Sequence, residues 1–273
     1  MLRKYFLLFF FIIVFFMSNK ADASSPLIDI SDFGTVDWTT GTITAISKSE
    51  SPAGAVIGKK KTLAKRIAIA YAHRHLASLI NNLQVDAQTK VGDYVKSDKP
   101  LCDRLNLIIK NSNVQNITEN PDGSFDVSLV VHIYGVDGLL NAVSPTREAI
   151  SESTQKQATA EGFTGLIIDA RGINIKPCLD PKISDDLGRP LYGSFIKMNQ
   201  NYIIQHGVVD YSMSIDDAKK SVRSGPNPLI IRAKSPDIEG GTNIVVSSID
   251  SNNIINENQK SNFLDNHKVV IVL

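Results

Sequence analysis

A stretch that combines an apolar run with charged turns, TGLIIDARGINIKPCLDPKISDDLGRPLYG, occupies residues 164–193. Its run at 166–168 has the continuous apolar character of a strand that is covered on both faces. Asp169 and Arg171 follow two positions apart, so both leave the strand on one face, and Gly172 permits a tight turn. We therefore expect a buried strand that ends in a charged corner, a position where α/β proteins often place ligand sites.

The same stretch carries the one group of charged residues in the sequence that suggests a binding site. The candidate binding residues are Asp169, Arg171, Asp185 and Arg189. Paired carboxylates can hold a cation or share acid–base work, but no Asp-x-Asp-x-Asp-Gly ladder of a calcium loop is present. The favoured alternative is structural, with ion pairs that pin the turns of this stretch, which are rich in Asp, Gly and Pro.

Residues 1–23 have the organisation of a signal peptide. Arg3 and Lys4 precede an apolar core of thirteen residues at 5–17, and a small-x-small pattern ends at Ala23. Because about 20 apolar residues are needed to span a bilayer, we expect cleavage before Ser24 and a protein exported to the periplasm. An uncleaved membrane anchor remains the alternative.

The composition of the processed chain excludes some classes of partner. Removing Arg3, Lys4, Lys20 and Asp22 from 29 basic and 28 acidic residues leaves 26 and 27. A nearly neutral chain argues against nucleic acid as the main partner, and it gives no reason to expect strong binding to an anionic membrane surface. At most, a peripheral association with the outer membrane is expected.

No motif of an enzyme, metal site or cofactor site stands out. The Gly-x-Ser-x-Gly nucleophile elbow is absent, the five histidines are scattered, and the Gly-rich segment at 54–62 lacks phosphate-loop spacing. We therefore predict a protein without catalytic residues, metal or cofactor. Cys102 and Cys178 leave two alternatives open, a disulfide that closes a long loop and two free thiols.

The first lobe, residues 24–145, is predicted to be a helix packed on a small antiparallel sheet. An irregular leader at 24–34 precedes a strand at 37–46. The long helix at 62–83 has apolar residues at three-and-four spacing, with Leu63 and Tyr71 among them. A short strand at 105–110 and a hairpin around Pro121-Asp122-Gly123 follow, and residues 125–133 alternate between apolar and polar as a half-buried strand does.

Residues 146–162 contain few large apolar side chains and are predicted to link the two lobes. The second lobe, residues 163–273, is predicted to be a β-rich α/β domain. Its expected strands, besides those of the opening stretch, lie at 195–198, 202–204, 229–233, 243–246 and 269–272. Ser214 with Asp217 three positions on is typical of a helix start, and a short helix is expected at 248–255. The predicted fold class is α+β with two lobes.

Two resemblances accompany these patterns. The strand at 42–45 and the helix KRIAIAYAHRHLASLINNLQV at 65–85 resemble the LPP-twenty lipoprotein family, which includes the N-terminal domain of the flagellar protein FlgT. The second lobe is similar to the C-terminal part of uncharacterised exported bacterial proteins. The motifs that carry this second similarity are TGLIIDARG, KPCLDPKI, LGRPLYG and AKKSVRSGPNPLIIRA.

The first resemblance implies a helix that lies across a small sheet and a role in the cell envelope, with envelope or flagellar proteins as partners. The chain departs from those lipoproteins because it lacks the lipid-accepting cysteine after the apolar core, its first cysteine being Cys102. We therefore expect a non-enzymatic protein that acts through protein–protein contacts in flagellar or outer-membrane assembly. The alternative is a periplasmic ligand-binding module with its site at Asp169 and Arg171.

Overall fold

The computed structural model describes residues 26–50, 57–143, 162–193 and 199–273, without the side chains of residues 57 and 58. The predicted signal peptide, nearly all of the predicted linker and the predicted strand at 195–198 lie outside the described residues. The described part combines helices with antiparallel and parallel sheets, which confirms the predicted α+β class.

The described residues of the first lobe form five strands and four helices. Its strands are β1 Ile28–Ser31, β2 Gly34–Asp37, β3 Thr42–Lys48, β4 Asn113–Glu119 and β5 Phe125–His132. Its helices are α1 Ile57–Asn82, α2 Val91–Ser97, α3 Lys99–Lys110 and α4 Leu139–Val143. The strands form one antiparallel sheet in the order β1-β2-β3-β5-β4, and α1 packs across β3 and β5. This is the predicted helix on an antiparallel sheet.

The buried face of α1 differs in its first half from the predicted face. Ala64, Ala68 and Ala72, spaced four residues apart, are fully buried, whereas Leu63 and Tyr71 are 44% and 41% exposed. Alanine lets the helix backbone approach the sheet closely, so that the Ser47 hydroxyl donates a 2.7 Å hydrogen bond to the carbonyl oxygen of Ala68. A pattern search that weights large apolar residues misses a contact face made of alanine.

In the second lobe, the part that the structure describes forms eight strands and three helices. Its strands are β6 Gly165–Asp169, β7 Ile183–Asp185, β8 Pro190–Tyr192, β9 Asp210–Ser212, β10 Pro228–Arg232, β11 Ser235–Pro236, β12 Ile244–Val246 and β13 Val269–Val272. Its helices are α5 Gln200–His206, α6 Ile215–Lys220 and α7 Ser248–Ser261. Strands β10-β6-β13-β9 form a parallel sheet, and β11-β12-β7-β8 form a second, mixed sheet.

The parallel sheet explains the apolar run at 166–168. Strand β6 lies between β10 and β13, and all five of its residues are buried. Ile167 packs with Ala218 of α6 on one face, while Leu166 and Ile168 join the main core on the other. The prediction of a strand covered on both faces is confirmed, as is the buried final strand β13.

Four local predictions are wrong. Residues 105–110 are helical and belong to α3, which begins after the capping residue Asp98 and carries Pro100 in its first turn. Both are start signals for a helix. Residues 202–204 lie in helix α5 rather than in an extended segment, and Asn199 caps its start. The predicted irregular leader contains strand β1, and the predicted strand at 37–46 is split by a turn at residues 38–41.

The two lobes share one core in the described part of the chain. Trp38 of the first lobe meets Tyr211 of the second edge-to-face, with ring centroids 5.8 Å apart. The backbone N–H groups of Leu179 and Asp180 donate to the carbonyl oxygens of Gln84 and Val85. Because both lobes contribute to a continuous apolar cluster, the seam between them is a packed interface as well as a chain connection.

Cys102 and Cys178 are free cysteines, so the disulfide alternative is not formed in this structure. Cys102 lies half-buried on α3, whereas Cys178 is buried in the second lobe, where its backbone N–H and C=O both bond the hydroxyl of Tyr211 at 3.0 Å. Burial raises the pKa of the Cys178 thiol to about 12. A thiol with such a pKa is not a nucleophile at neutral pH.

Candidate functional site

Asp169 and Arg171 lie at the carboxyl end of the parallel sheet. Asp169 is the last residue of β6 and is paired in register with Arg232 at the end of β10. Gly172 then turns the chain with φ of 81°. Since neighbouring parallel strands end at the same edge of a sheet, the two arginines and the aspartate are brought together there.

The geometry of this corner is that of a bidentate ion pair. The Nε of Arg171 donates to Oδ1 of Asp169 at 2.8 Å, and its Nη2 donates to Oδ2 at 2.9 Å. The backbone N–H of Arg171 adds a third bond to Oδ1 at 3.2 Å. The Nη1 of Arg232 lies 3.8 Å from Oδ2. The structure thus brings Asp169 and Arg171, two of the predicted site residues, into direct contact.

The two partners differ in exposure. The Asp169 side chain is 8% exposed, whereas that of Arg171 is 45% exposed. The hydrogen bonds from Arg171 lower the pKa of the Asp169 carboxyl despite the opposing effect of its burial. A carboxylate that is ionised and already paired with two guanidinium groups is a poor general base.

Asp185 and Arg189 form a second corner, at the end of β7. Asp185 Oδ1 accepts from the backbone N–H groups of Leu187 and Arg189, and its Oδ2 accepts from Arg189 Nε at 2.9 Å. The hydroxyl of Ser251 on α7 donates to the same oxygen at 3.1 Å. Burial alone would raise the pKa of Asp185, but these hydrogen bonds outweigh it and the pKa is lowered.

This second corner ties a turn to the start of helix α7. Arg189 Nη2 donates to Ser251 at 2.7 Å and to Asn252 at 2.9 Å. Asp186 accepts from the backbone N–H of Ser248 and from Lys234 Nζ. The candidate residues Asp185 and Arg189 are thus joined to each other, and neither contacts Asp169 or Arg171. The predicted site is two separate corners, not one.

Two apolar side chains stand beside the second corner. Leu187 lies in the turn and Ile249 lies in the first turn of α7, and each is 81% exposed. Each is also the chain neighbour of a residue that bonds across the corner, Asp186 or Ser248. The hydrogen-bonded corner therefore displays two large apolar groups on a fixed backbone.

The sequence analysis missed a third charged centre, built on Arg223. Its guanidinium is only 3% exposed and lies over the ring of Tyr202, with 5.5 Å from Cζ to the ring centroid. It donates to Asp210 Oδ1 at 2.8 Å and to four backbone carbonyl oxygens, those of His206, Gly207, Val208 and His267. Hydrogen bonds to backbone carbonyl oxygens leave no pattern of side chains in the sequence. The one signal for Arg223 was its position within the motif AKKSVRSGPNPLIIRA.

His267 lies beside this centre and is neutral. Its Nε2 accepts the backbone N–H of Asn199 at 3.1 Å, so the ring proton is on Nδ1, which is buried without a hydrogen-bond partner among the described residues. Burial, together with the charge of Arg223, lowers the pKa of His267 to about 4. The residue also has φ of 56°, which is uncommon outside glycine.

The described residues contain no cluster of three or more His, Cys, Asp or Glu side chains that could hold a metal ion. Within the same ranges, no helix has the length and apolar character needed to cross a membrane. Each of the three charged centres consists of hydrogen bonds between arginine, aspartate and backbone groups.

The fold and these centres describe a two-lobed α+β protein whose second lobe is organised by arginine–aspartate pairs. Residues 165–273 match the family model for the second domain of Tp0624 from Treponema pallidum, which covers less than half of the chain. The match begins two residues after the predicted start of the second lobe. No curated protein matches the chain.

Proposed function

We propose that this chain is a non-enzymatic, exported cell-envelope protein that acts through protein–protein contacts in flagellar or outer-membrane assembly. The observation that carries the proposal is the pair Leu187 and Ile249, displayed at a corner fixed by Asp185 and Arg189. Exposed apolar residues on a rigid backbone bind a partner without a large loss of conformational entropy.

The charged side chains of the second corner are already hydrogen-bonded within the protein, and this supports a binding role over a catalytic one. Asp185 and Arg189 use their hydrogen-bonding capacity on the turn and on α7. Polar groups that are already paired hold the corner in shape and are not free to attack or protonate a substrate. The resemblance of the first lobe to the LPP-twenty family adds the expectation of a role in the envelope.

The partner surface expected at this corner is an apolar pocket of another envelope protein. The test is a pull-down from envelope extract with the variant Leu187→Ser/Ile249→Ser against the unaltered protein. A matched control, Val222→Ser/Ile238→Ser, removes two other exposed apolar side chains, 90% and 53% exposed. We expect the first variant to lose a defined captured protein, identified by mass spectrometry, and the control to retain it.

Equal capture by both variants would contradict the role of this corner. Recovery of the protein in the cytoplasmic fraction instead of the envelope or periplasm would contradict the proposal as a whole. Thermal unfolding of each variant shows that the fold is intact, because side chains this exposed contribute little to the core.

A second candidate function is a periplasmic ligand-binding module with its site at Asp169 and Arg171. The observation that favours it is the meeting of Arg171 and Arg232 at the carboxyl end of a parallel sheet, where ligands of α/β folds bind. Two guanidinium groups whose side chains are 45% and 73% exposed fit a small carboxylate or phosphate. Saturable stabilisation by such an anion, abolished in Arg171→Ala, would favour this candidate over the first.

A further inference from the structure

All the charged side chains of helix α1 are positive. Residues 57–82 contain six lysines and arginines and no aspartate or glutamate. A stripe of exposed residues runs along the helix at spacings of four, three, four and four, which places its members on one face. The stripe consists of Lys59, Leu63, Arg66, Ala70 and Arg74, and with the adjacent Lys60 and Tyr71 we call it the basic face.

This charge distribution is unfavourable for the helix itself. Lys59, Lys60 and Lys61 lie near the N-terminus, where the helix dipole favours negative charge. Lys61 and Lys65 are four residues apart, a spacing at which like charges repel. An ordinary solvated helix mixes both signs of charge. A helix that keeps an unfavourable charge pattern, with no gain in its own stability, indicates that the charges serve a function.

The structure provides little internal compensation for these charges. Lys61 pairs with Glu119 at 2.5 Å, but Lys61 lies outside the basic face. In the described part of the chain, no carboxylate lies within ion-pairing distance of Lys59, Lys60, Arg66 or Arg74. The near-neutral net charge of the chain therefore conceals a local concentration of positive charge.

The apolar members of the basic face distinguish between anionic partners. Leu63 is 44% exposed and Tyr71 is 41% exposed, and the guanidinium of Arg74 lies 5.8 Å from the Tyr71 ring centroid. A soluble polyphosphate offers no apolar surface to a leucine, and the phosphate backbone that a basic helix face would contact on a nucleic acid is polar. A membrane interface accepts leucine at the acyl boundary, tyrosine at the headgroup level and lysine or arginine among the phosphates.

The opposite side of α1 fits the same use. The buried alanines Ala64, Ala68 and Ala72 fix the helix on the sheet, so the basic face is presented on a rigid support. A helix of 26 residues is about 39 Å long. It can lie flat on a surface and bring several cations to the headgroups at once.

We propose that the basic face of α1 docks this protein on a membrane surface of anionic lipids. The binding is peripheral, with electrostatic attraction of the lysines and arginines and shallow insertion of Leu63 and Tyr71. It is separate from the partner contact at Leu187 and Ile249, which lies on the second lobe.

The test is sedimentation with vesicles of phosphatidylcholine, with and without phosphatidylglycerol, using the chain recovered after export. The variant Arg66→Gln/Arg74→Gln removes two cations and keeps good helix formers. The matched control, Lys99→Gln/Lys219→Gln, removes two exposed lysines from α3 and α6. Each cation near an anionic surface contributes roughly fivefold to binding. We therefore expect the first variant to bind the vesicles about 25-fold more weakly than the unaltered protein, and the control variant to bind them as well as the unaltered protein does.

The outcomes separate the sources of binding. Binding that needs phosphatidylglycerol, weakens at high salt and falls in Arg66→Gln/Arg74→Gln supports the proposal. Equal binding to both vesicle types, as an uncleaved apolar N-terminus would give, overturns it. Equal loss in both variants, or binding to soluble polyphosphate or DNA but not to vesicles, also overturns it. Circular dichroism confirms that α1 is retained in the variants.

Discussion

Arg171 and Arg223 are two arginines of the same lobe that pair with aspartates in opposite surroundings. Arg171 is 45% exposed and gives its bonds to Asp169, whereas Arg223 is 3% exposed and bonds one carboxylate and four carbonyl oxygens. The exposed arginine is conspicuous in the sequence, and the buried one is not. Charge next to an apolar run marks where a pair can form, but burial and the number of bonds determine its contribution to stability.

The largest effect is expected for Arg223→Met, a substitution that keeps the side-chain volume and removes the charge. The substitution leaves Asp210 without its cation and removes the Arg223 donor from four carbonyl oxygens, of which that of Val208 keeps the Tyr192 hydroxyl as a donor. Asp210 is 42% exposed and is solvated by water in the variant, but each buried carbonyl oxygen left without a donor costs about 1–3 kcal/mol. We therefore expect a loss of about 3–5 kcal/mol in the free energy of unfolding, measured by denaturant titration. The matched control is Arg232→Met, whose side chain is 73% exposed. A loss in Arg223→Met no larger than in the control would show that the buried centre is dispensable.

The second test uses pH and His267, whose neighbours include Arg223, Asp265 and the Tyr202 ring. Its pKa is lowered from the ordinary 6.5 to about 4 in the folded protein. Between pH 6.5 and pH 4, His267 is therefore protonated in the unfolded chain and neutral in the folded chain. Stability is therefore full above pH 6.5 and falls as the pH drops toward 4, by at most about 3 kcal/mol.

The variant His267→Asn isolates this effect, because asparagine tolerates a positive φ but does not titrate. We expect unfolding free energies measured at pH 7.5 and pH 5 to differ less in the variant than in the unaltered protein. An identical pH dependence in both would assign the acid sensitivity to other groups, and it would mean that the buried centre accepts a second cation.

Strong, regular patterns were predictable from the sequence. The alternation at 125–133 and the run at 166–168 reflect sheet faces that are buried on one side and on both sides, and the structure contains both strands. The helix at 62–83 was found as well, but the first half of its contact face was predicted wrongly, because alanine contributes little hydrophobic signal and close backbone approach depends on the partner sheet.

Features that depend on distant partners were not predictable. The short apolar run at 105–110 fits a strand or a helix, and the choice rests on the cap at Asp98 and on packing against α1 and α4. The Arg223 centre gathers backbone carbonyls from residues 206–208 and 267, and no local pattern announces them. The candidate pairs were found because both members of each pair lie within four residues of each other.

The smallest effect is expected at the exposed corner, and it decides between structure and binding there. In Arg171→Ala the Asp169 carboxylate, 8% exposed, loses two of its three hydrogen bonds. Water takes the place of the half-exposed guanidinium and Arg232 stays close, so the melting temperature should fall less than in Arg223→Met. Asp169→Ala should lower it more, because the buried carboxylate accepts three bonds and Arg171 and Arg232 lose their common partner. The double variant should resemble Asp169→Ala, since the two changes remove one interaction.

Melting curves and partner capture, recorded together for the three variants, separate the two roles. Unchanged melting with abolished capture would make this corner a binding site, and the contrast between the two arginines would then be one of function as well as of burial.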